Sequence, residues 1–305
     1  MPIPERTLLT GATGFVGSRI ARRLLDSGVP VRSIVRRAGT DTTLFHPLYE
    51  EIVGDFVDPA VAAVAAAGCG HVIHVAATGG PDLEPVRRVN VDGTVSMLEA
   101  AKAAGASRFI HISTVSVYDL RAVDDVDEES PLKIGGDHYG FTKAEGDRRV
   151  FEAMAGGLQA TILRPSAILG FHPTSTWAVV VPERIRDRRI KLLRGGGNTL
   201  AFVHVEDLVD AVFLALRNSC SVGGVYNVLD RNGTWLEYTD EVRTWFGTAP
   251  LDEVPEAEAA SQTYFIGRVK ADRLATDLGW RPSRTYAEGM AEGSLQWQAG
   301  RQVAR

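Results

Sequence analysis

Tyr139 and Lys143 stand four residues apart in the stretch HYGFTKAE, residues 138–145. On a helix that spacing stacks both side chains on one face, about one turn apart. The pair is either a phenol tuned by a cation or two residues of a solvated face. A tyrosine hydroxyl is a poor acid or base at neutral pH, with an ordinary pKa near ~10. A cation one turn away favours the phenolate and lowers that value. A phenol tuned in this way gives a proton to a carbonyl oxygen or takes one from a hydroxyl. The pair alone does not say what it acts on.

A second group of residues names a partner for that chemistry. In TLLTGATGFVGSRI (7–20) an apolar strand runs into a turn with Gly11, Gly14 and Gly17, and a helix follows. Gly11 allows the tight turn, Gly14 lets a pyrophosphate approach the backbone, and Gly17 lets helix and strand pack closely. The helix N-terminus then offers free N–H groups and a partial positive charge. Thr13, Phe15 and Val16 lie between these glycines and belong to the same expected cofactor contact. Some 20 residues on, a carboxylate would suit a ribose hydroxyl, whereas arginine suits a 2′-phosphate. The chain has Arg36 and Arg37 there, which favours NADP(H) over NAD(H). Asp55, after the third strand, is placed at the adenine edge, and its neighbour Phe56 is counted with the cofactor contacts.

These residues need a scaffold. Strands are expected at 7–11, 31–37, 50–55, 71–77, 108–114 and 159–165, with helices at 18–28, 91–105 and 137–156 between several of them. Such alternation predicts an α/β fold, a Rossmann-type doubly wound parallel sheet with right-handed crossovers. After Pro165 the rhythm breaks. A strand and helix return at 200–218 and a short strand at 224–230. The expected division is a dinucleotide-binding part (1–165 plus 199–230) and a smaller, discontinuous substrate lobe (166–198 plus 231–305).

Composition limits the classes of function. Among 305 residues the net charge is −5, which argues against nucleic acid or an anionic membrane as partner. The stretch 59–77 is nearly long enough to span a bilayer. GCGH divides it into an Ala/Val helix and a Val/Ile strand, so no membrane span is expected. No secretory segment opens the sequence, and the two cysteines, Cys69 and Cys220, lack a paired spacing. A cytoplasmic protein with reduced thiols is expected. The histidines show no metal-ligand spacing, so no metal is expected.

TGATGFVG, VIHVAA, VNVDGT, HISTVSVY, YGFTK, LRPSAILG, FVHVEDLVDA and LGWRP follow one another along nearly the whole chain. In this order they resemble the extended short-chain dehydrogenase/reductases, also called the NAD-dependent epimerase/dehydratase family. The resemblance implies that Tyr139 and Lys143 are the catalytic pair and that Thr114 is the catalytic Ser/Thr. It also places Asn90 beside the site, Ala76 and Ala77 along the cofactor, and Pro165 to Ile168 near the nicotinamide. By the same resemblance the protein is a homodimer joined through helices at 86–104 and 137–156.

Many such relatives act on nucleotide-linked sugars, whose diphosphate needs cations, preferably forked arginines. Three anchors common in them are missing here. Leu200 and Ala201 precede FVHV where an arginine is usual, Ala167 replaces an asparagine, and residues 244–267 contain no Lys or Arg. Arg194 and Arg268 remain as stand-ins. Trp177, Trp235, Trp245, Tyr264 and Phe265 either line an apolar pocket or form ordinary core. His204 is read as structural, and the other six histidines are given no role. The expectation is hydride transfer between a nicotinamide cofactor and a ketone or secondary alcohol on a small molecule, with Tyr139 as general acid/base. The alternatives are a nucleotide-sugar epimerase or dehydratase and, more remotely, a non-catalytic cofactor-sensing protein.

Overall fold

The structure, a computed structural model, describes residues 5–39, 44–260 and 262–303. The outermost residues of the two expected parts, 1–4 and 304–305, lie outside it. Seven strands form one parallel sheet: β1 (Thr7–Thr10), β2 (Val31–Val35), β3 (Tyr49–Val53), β4 (His71–His74), β5 (Arg108–Ile112), β6 (Ala160–Pro165) and β9 (Val225–Val228). Their spatial order is β3-β2-β1-β4-β5-β6-β9. The order reverses beside β1, and open α/β sheets bind ligands at the carboxyl edge of such a switch point. β1 and β4 are buried along their whole length, as expected for strands covered on both faces. Three further strands, β7 (Ala167–Leu169), β8 (Thr199–His204) and β10 (Arg231–Thr234), make a separate small sheet in the order β10-β8-β7. By pairing, residues 199–204 therefore join the small sheet and not the large one.

The helices are α1 (Phe15–Asp26), α2 (Pro59–Ala66), α3 (Leu83–Arg87), α4 (Gly93–Ala103), α5 (His138–Ala155), α6 (Val181–Arg186), α7 (Val205–Arg217), α8 (Trp235–Phe246), α9 (Glu256–Ala259), α10 (Asp272–Leu278) and α11 (Tyr286–Val303). α1 begins three residues earlier than its sequence pattern suggests, because Gly14 is already its N-cap. The glycine turn and the first helical turn are thus one structure. A π turn, Arg88–Asp92, joins α3 to α4, so helix begins well before the expected residue 91. Pro85 sits in the first turn of α3, where its missing N–H has no partner to lose. The apolar stretch 59–77 divides into α2 and β4, and among the described residues no helix is long and apolar enough to cross a membrane.

The aromatic residues of the second half settle mostly as core. Trp177 packs with Trp235 and Tyr238, each at 5.5 Å between ring centres. Trp245 joins the same cluster around Phe202, Tyr238 and Tyr286, and Phe265 is buried in another. Trp177, Trp235 and Trp245 are partly buried against the first of these clusters. His204 caps α7 by accepting the Glu206 N–H at 3.2 Å, which is a structural role. One turn on, the fully buried Asp207 fastens the LGWRP segment. Its carboxylate accepts the Ser283 N–H (2.9 Å) and hydroxyl (2.8 Å) and the Arg284 N–H (3.0 Å). Asp207→Ala would strand these donors. A loss of about 3 kcal/mol or more in urea unfolding is expected, and an unchanged midpoint would contradict it.

Candidate active site

The site stands on the carboxyl ends of β1, β4, β5 and β6. Gly11 has φ +73°, a left-handed backbone that glycine adopts without strain. A Cβ there would come within 3.1 Å of the Ala76 backbone nitrogen. A Cβ on Gly17 would lie 2.6 Å from the Gly11 carbonyl carbon, closer than any side chain tolerates. Bare backbone therefore lines a cradle that opens onto the N-terminus of α1, a shape and polarity suited to a pyrophosphate. These residues fit a dinucleotide. Thr13 and Val16 are half-buried in the turn, and Phe15 stacks on His172 with ring centres 5.6 Å apart.

A hydrogen-bonded chain fixes the cradle to the rest of the site. Thr10 Oγ1 accepts the Val75 and Ala76 N–H groups, each at 3.1 Å, leaving its own hydrogen for His74 Nδ1 at 2.8 Å. His74 Nε2 then donates to Thr94 Oγ1 at 3.2 Å, and Thr94 donates to the Asn90 carbonyl at 2.7 Å. Burial, then the proximity of His111 and the Lys143 ammonium, hold the His74 pKa well below its usual range, consistent with this neutral tautomer. Asn90 lies in the π turn. Its side chain accepts the Thr78 N–H at 2.9 Å and donates to the Thr78 carbonyl at 2.8 Å and to Thr142 Oγ1 at 3.0 Å. The segment carrying Ala76 and Ala77 is thereby clamped at both ends.

β2 ends at Val35, so Arg36 and Arg37 follow it as exposed residues of a bend. Asp55 accepts from Arg88 at 2.7 Å and from the Val57 N–H at 3.1 Å. Burial raises its pKa, but these bonds and the charges of Arg88 and Arg36 outweigh burial and lower it. Phe56 turns inward, edge-on to His74 at 5.5 Å, in space that a side chain on Gly93 would fill. Pro165 ends β6 and is buried, and Ile168 is half-buried in β7.

Thr114 leaves β5 in extended conformation and accepts the Ser116 N–H at 3.1 Å. Its hydroxyl hydrogen is then available to the Tyr139 oxygen, with which it bonds. Asp137 caps α5 through the Gly140 N–H at 2.6 Å and so starts the helix just before Tyr139. Burial pushes the Tyr139 phenol up to about 12, against the lowering Thr114 bond, and Asp137 and Asp147 push the same way as burial. The depression by Lys143 expected from the spacing is not what this geometry gives. The Lys143 ammonium turns inward, donating to the Ile112 carbonyl at 2.9 Å and approaching His111 Nε2 at 3.4 Å. Burial lowers Lys143 to about 8, with Asp147 opposing.

Sequence reading missed what lies beneath. His111, Asp147 and Arg164 are buried around Lys143, and Arg164 Nε donates to Asp147 Oδ2 at 2.9 Å. Their sequence separations, 36 between His111 and Asp147 and 17 between Asp147 and Arg164, leave no local pattern to find. Elsewhere, Arg194 lies over the Tyr264 ring at 5.3 Å. Among the described residues no group of His, Cys, Asp and Glu is arranged to hold a metal ion.

A parallel sheet of this order, with its glycine cradle at the switch point, defines a Rossmann-type nucleotide-binding protein. Residues 7–228 match the NAD dependent epimerase/dehydratase family, and the chain belongs to that family of enzymes. It is 27% identical over 318 aligned residues to the 4-hydroxy-2-methyl-3-oxo-4-farnesyl-3,4-dihydroquinoline-1-oxide ketoreductase of Stigmatella aurantiaca, covering 93% of this chain and 94% of that one. It is 29% identical over 315 residues to the dTDP-glucose 4,6-dehydratase of Streptomyces griseus, covering 95% and 93%. Among solved structures, a double mutant of the dTDP-glucose 4,6-dehydratase DesIV of Streptomyces venezuelae, with NAD bound, superposes with TM-score 0.83 at 24% identity, covering 98% of each chain.

Proposed function

We propose that the protein is a nicotinamide-dependent ketoreductase, reducing a ketone on an uncharged, apolar small molecule. The carrying observation is the contact between Thr114 and Tyr139 at the carboxyl edge of the sheet, with Lys143 one turn further along α5. The glycine cradle, Asn90 and the 75–78 segment would hold the dinucleotide, with Pro165 and Ile168 at its nicotinamide end. When bound, the cofactor supplies the hydride. A phenol pushed up to about 12 carries its proton at neutral pH, ready for delivery to the carbonyl oxygen as charge develops there. With substrate bound, Thr114 turns its one hydroxyl hydrogen from Tyr139 to that oxygen, and Lys143 supplies positive charge from within the helix.

Three observations favour a ketone over a nucleotide-linked sugar. The diphosphate anchors are absent at Ala167, Leu200 and Ala201. Arg194, a possible substitute, is stacked on Tyr264. Ile134, shortly before α5, and Ile266 are exposed apolar side chains. The ketoreductase relative, whose named substrate carries a farnesyl group, agrees with this reading. The competing reading, a nucleotide-sugar epimerase or dehydratase, rests on the dTDP-glucose 4,6-dehydratase relatives. The proposal includes a homodimer through α4 and α5, whose Val95 and Phe151 are exposed. Light scattering at a monomer mass would count against that part.

NADP(H) is the proposed cofactor because Arg36 and Arg37 are exposed directly after β2. Arg36→Glu is expected to weaken NADP(H) binding about ten- to a hundredfold, the worth of one charge-assisted hydrogen bond, while NAD(H) binding holds. Calorimetric titration measures both. Equal losses for the two cofactors would remove the argument for NADP(H).

A further inference from the structure

Lys143 does not stand alone under Tyr139. Its ammonium is buried, and beyond it runs a line of polar side chains that the proposed reaction leaves unused. His111 Nε2 lies 3.4 Å from Lys143 Nζ and also 3.4 Å from Asp147 Oδ1. Arg164 donates Nε to Asp147 Oδ2 at 2.9 Å but turns Nη1 to the Tyr118 hydroxyl, also at 2.9 Å. Tyr118 passes the chain to Asn227 at 2.6 Å.

Two features separate this from an ordinary structural ion pair. An arginine and a carboxylate that serve only each other close a two-bond fork. Here Asp147 Oδ1 is left out of any fork and faces His111 Nε2, whose other neighbour is Lys143. Among the described residues neither Asp147 Oδ1 nor His111 Nδ1 has a well-formed hydrogen bond, and the carboxylate is left to the long approach of His111 and to the neighbouring Ser113 hydroxyl. Buried polar atoms without partners are rare and ask for an explanation. One nitrogen, His111 Nε2, also faces both an ammonium that only donates and a carboxylate that only accepts. It serves one at a time.

We propose that His111 and Asp147 are positioning residues for Lys143: the carboxylate, fixed by Arg164, keeps the buried ammonium charged, and the imidazole with the Ile112 carbonyl holds it in place. This rests on reading Lys143 as the cation beside Tyr139. The charges agree. Burial, then Lys143 itself, push His111 down to about 4, so at neutral pH the imidazole is uncharged, with Nε2 accepting from Lys143 in one tautomer and donating to Asp147 in the other. Burial pushes Asp147 up, but Arg164 and His111 outweigh it and bring it to about 2, so it is an anion. The titratable groups facing Lys143 are then His74 from β4, His111 from β5, Tyr139 and Asp147 from α5, and Arg164 from β6. Asp147 is the anion among them. Replacing it by asparagine leaves two buried cations unbalanced. The ammonium is then less favoured, so the Lys143 pKa falls.

The test is NMR titration of lysine labelled with 13C at Cε in the full chain, with the Lys143 signal assigned by its loss in Lys143→Met. In Asp147→Asn the Lys143 midpoint is expected to move toward acid by about one pH unit or more. His111→Leu should move it the same way, while His111→Gln, whose amide oxygen still accepts, should restore it. The alkaline limb of kcat should follow these shifts. A Lys143 midpoint unmoved in folded Asp147→Asn and His111→Leu overturns the proposal. Where loss of the Arg164 partner prevents Asp147→Asn from folding, the contrast between His111→Leu and His111→Gln decides alone. A Tyr139→Phe enzyme with full activity would instead sink the catalytic reading and leave the Lys143 titration standing on its own result.

Discussion

Tyr139→Phe is expected to lower kcat for ketone reduction about a hundred- to ten-thousand-fold, the usual worth of a positioned proton donor. Removing one oxygen leaves ring, packing and helix in place, so cofactor affinity and thermal stability should change little. The effect is large because the partners of the phenol are already arranged. Thr114 is held by the Ser116 N–H, and Asp137 fixes the start of the helix. Steady-state rates with NADPH, alongside the NADPH dissociation constant, make the comparison. Undiminished turnover in the phenylalanine enzyme would mean that the proton comes from elsewhere. A parallel fall in NADPH affinity would mean that the hydroxyl is a binding group.

Gly17→Ala should have the second large effect, by a different route. Its added methyl meets the Gly11 carbonyl and also comes within 3.0 Å of the Ala12 Cα, all backbone that cannot step aside. Either α1 moves off β1 or the turn opens, and overpacking of this kind costs about 1–3 kcal/mol or more. Both relaxations spoil the cradle, so dinucleotide binding should fall with stability. Gly28→Ala is the matched control. Gly28 has φ +75° with nothing within 4 Å of an added Cβ, far from the cradle. It should cost only the left-handed strain, about 1–2 kcal/mol, and leave cofactor affinity intact. Equal cofactor affinity in the Gly17 and Gly28 variants would refute the cradle.

The parts of this protein that were legible in sequence are those whose physics is local. Alternating apolar strands and helices, and three glycines between a strand and a helix, announce themselves within a few dozen residues. The parallel sheet, the turn and the place of Tyr139 and Lys143 one turn apart on α5 were read from them. The direction of the Lys143 side chain was not. It is decided by the Ile112 carbonyl and by His111, on a strand 31 to 32 residues earlier. The Thr10–His74–Thr94 chain escaped for the same reason. A buried histidine or threonine has no periodicity, and its partner is chosen by strand order, here β1 beside β4. Histidines 74 and 111, set aside for want of a metal spacing, proved to be buried connectors between strand ends and helices. The aromatic residues of the second lobe were ambiguous because core and pocket use the same side chains. Only their mutual packing distinguishes the two.

One measurement bears most directly on net hydride transfer with Tyr139 as acid. It is a single turnover with NADPH carrying deuterium on both faces of C4, a hydrophobic ketone, and wild-type or Tyr139→Phe protein, analysed by mass spectrometry. The account predicts one NADPH oxidised per alcohol formed, with the label on the new carbinol carbon, and loss of both in the variant. Retained NAD with no net NADPH oxidation, together with conversion of a nucleotide-linked sugar, would contradict it.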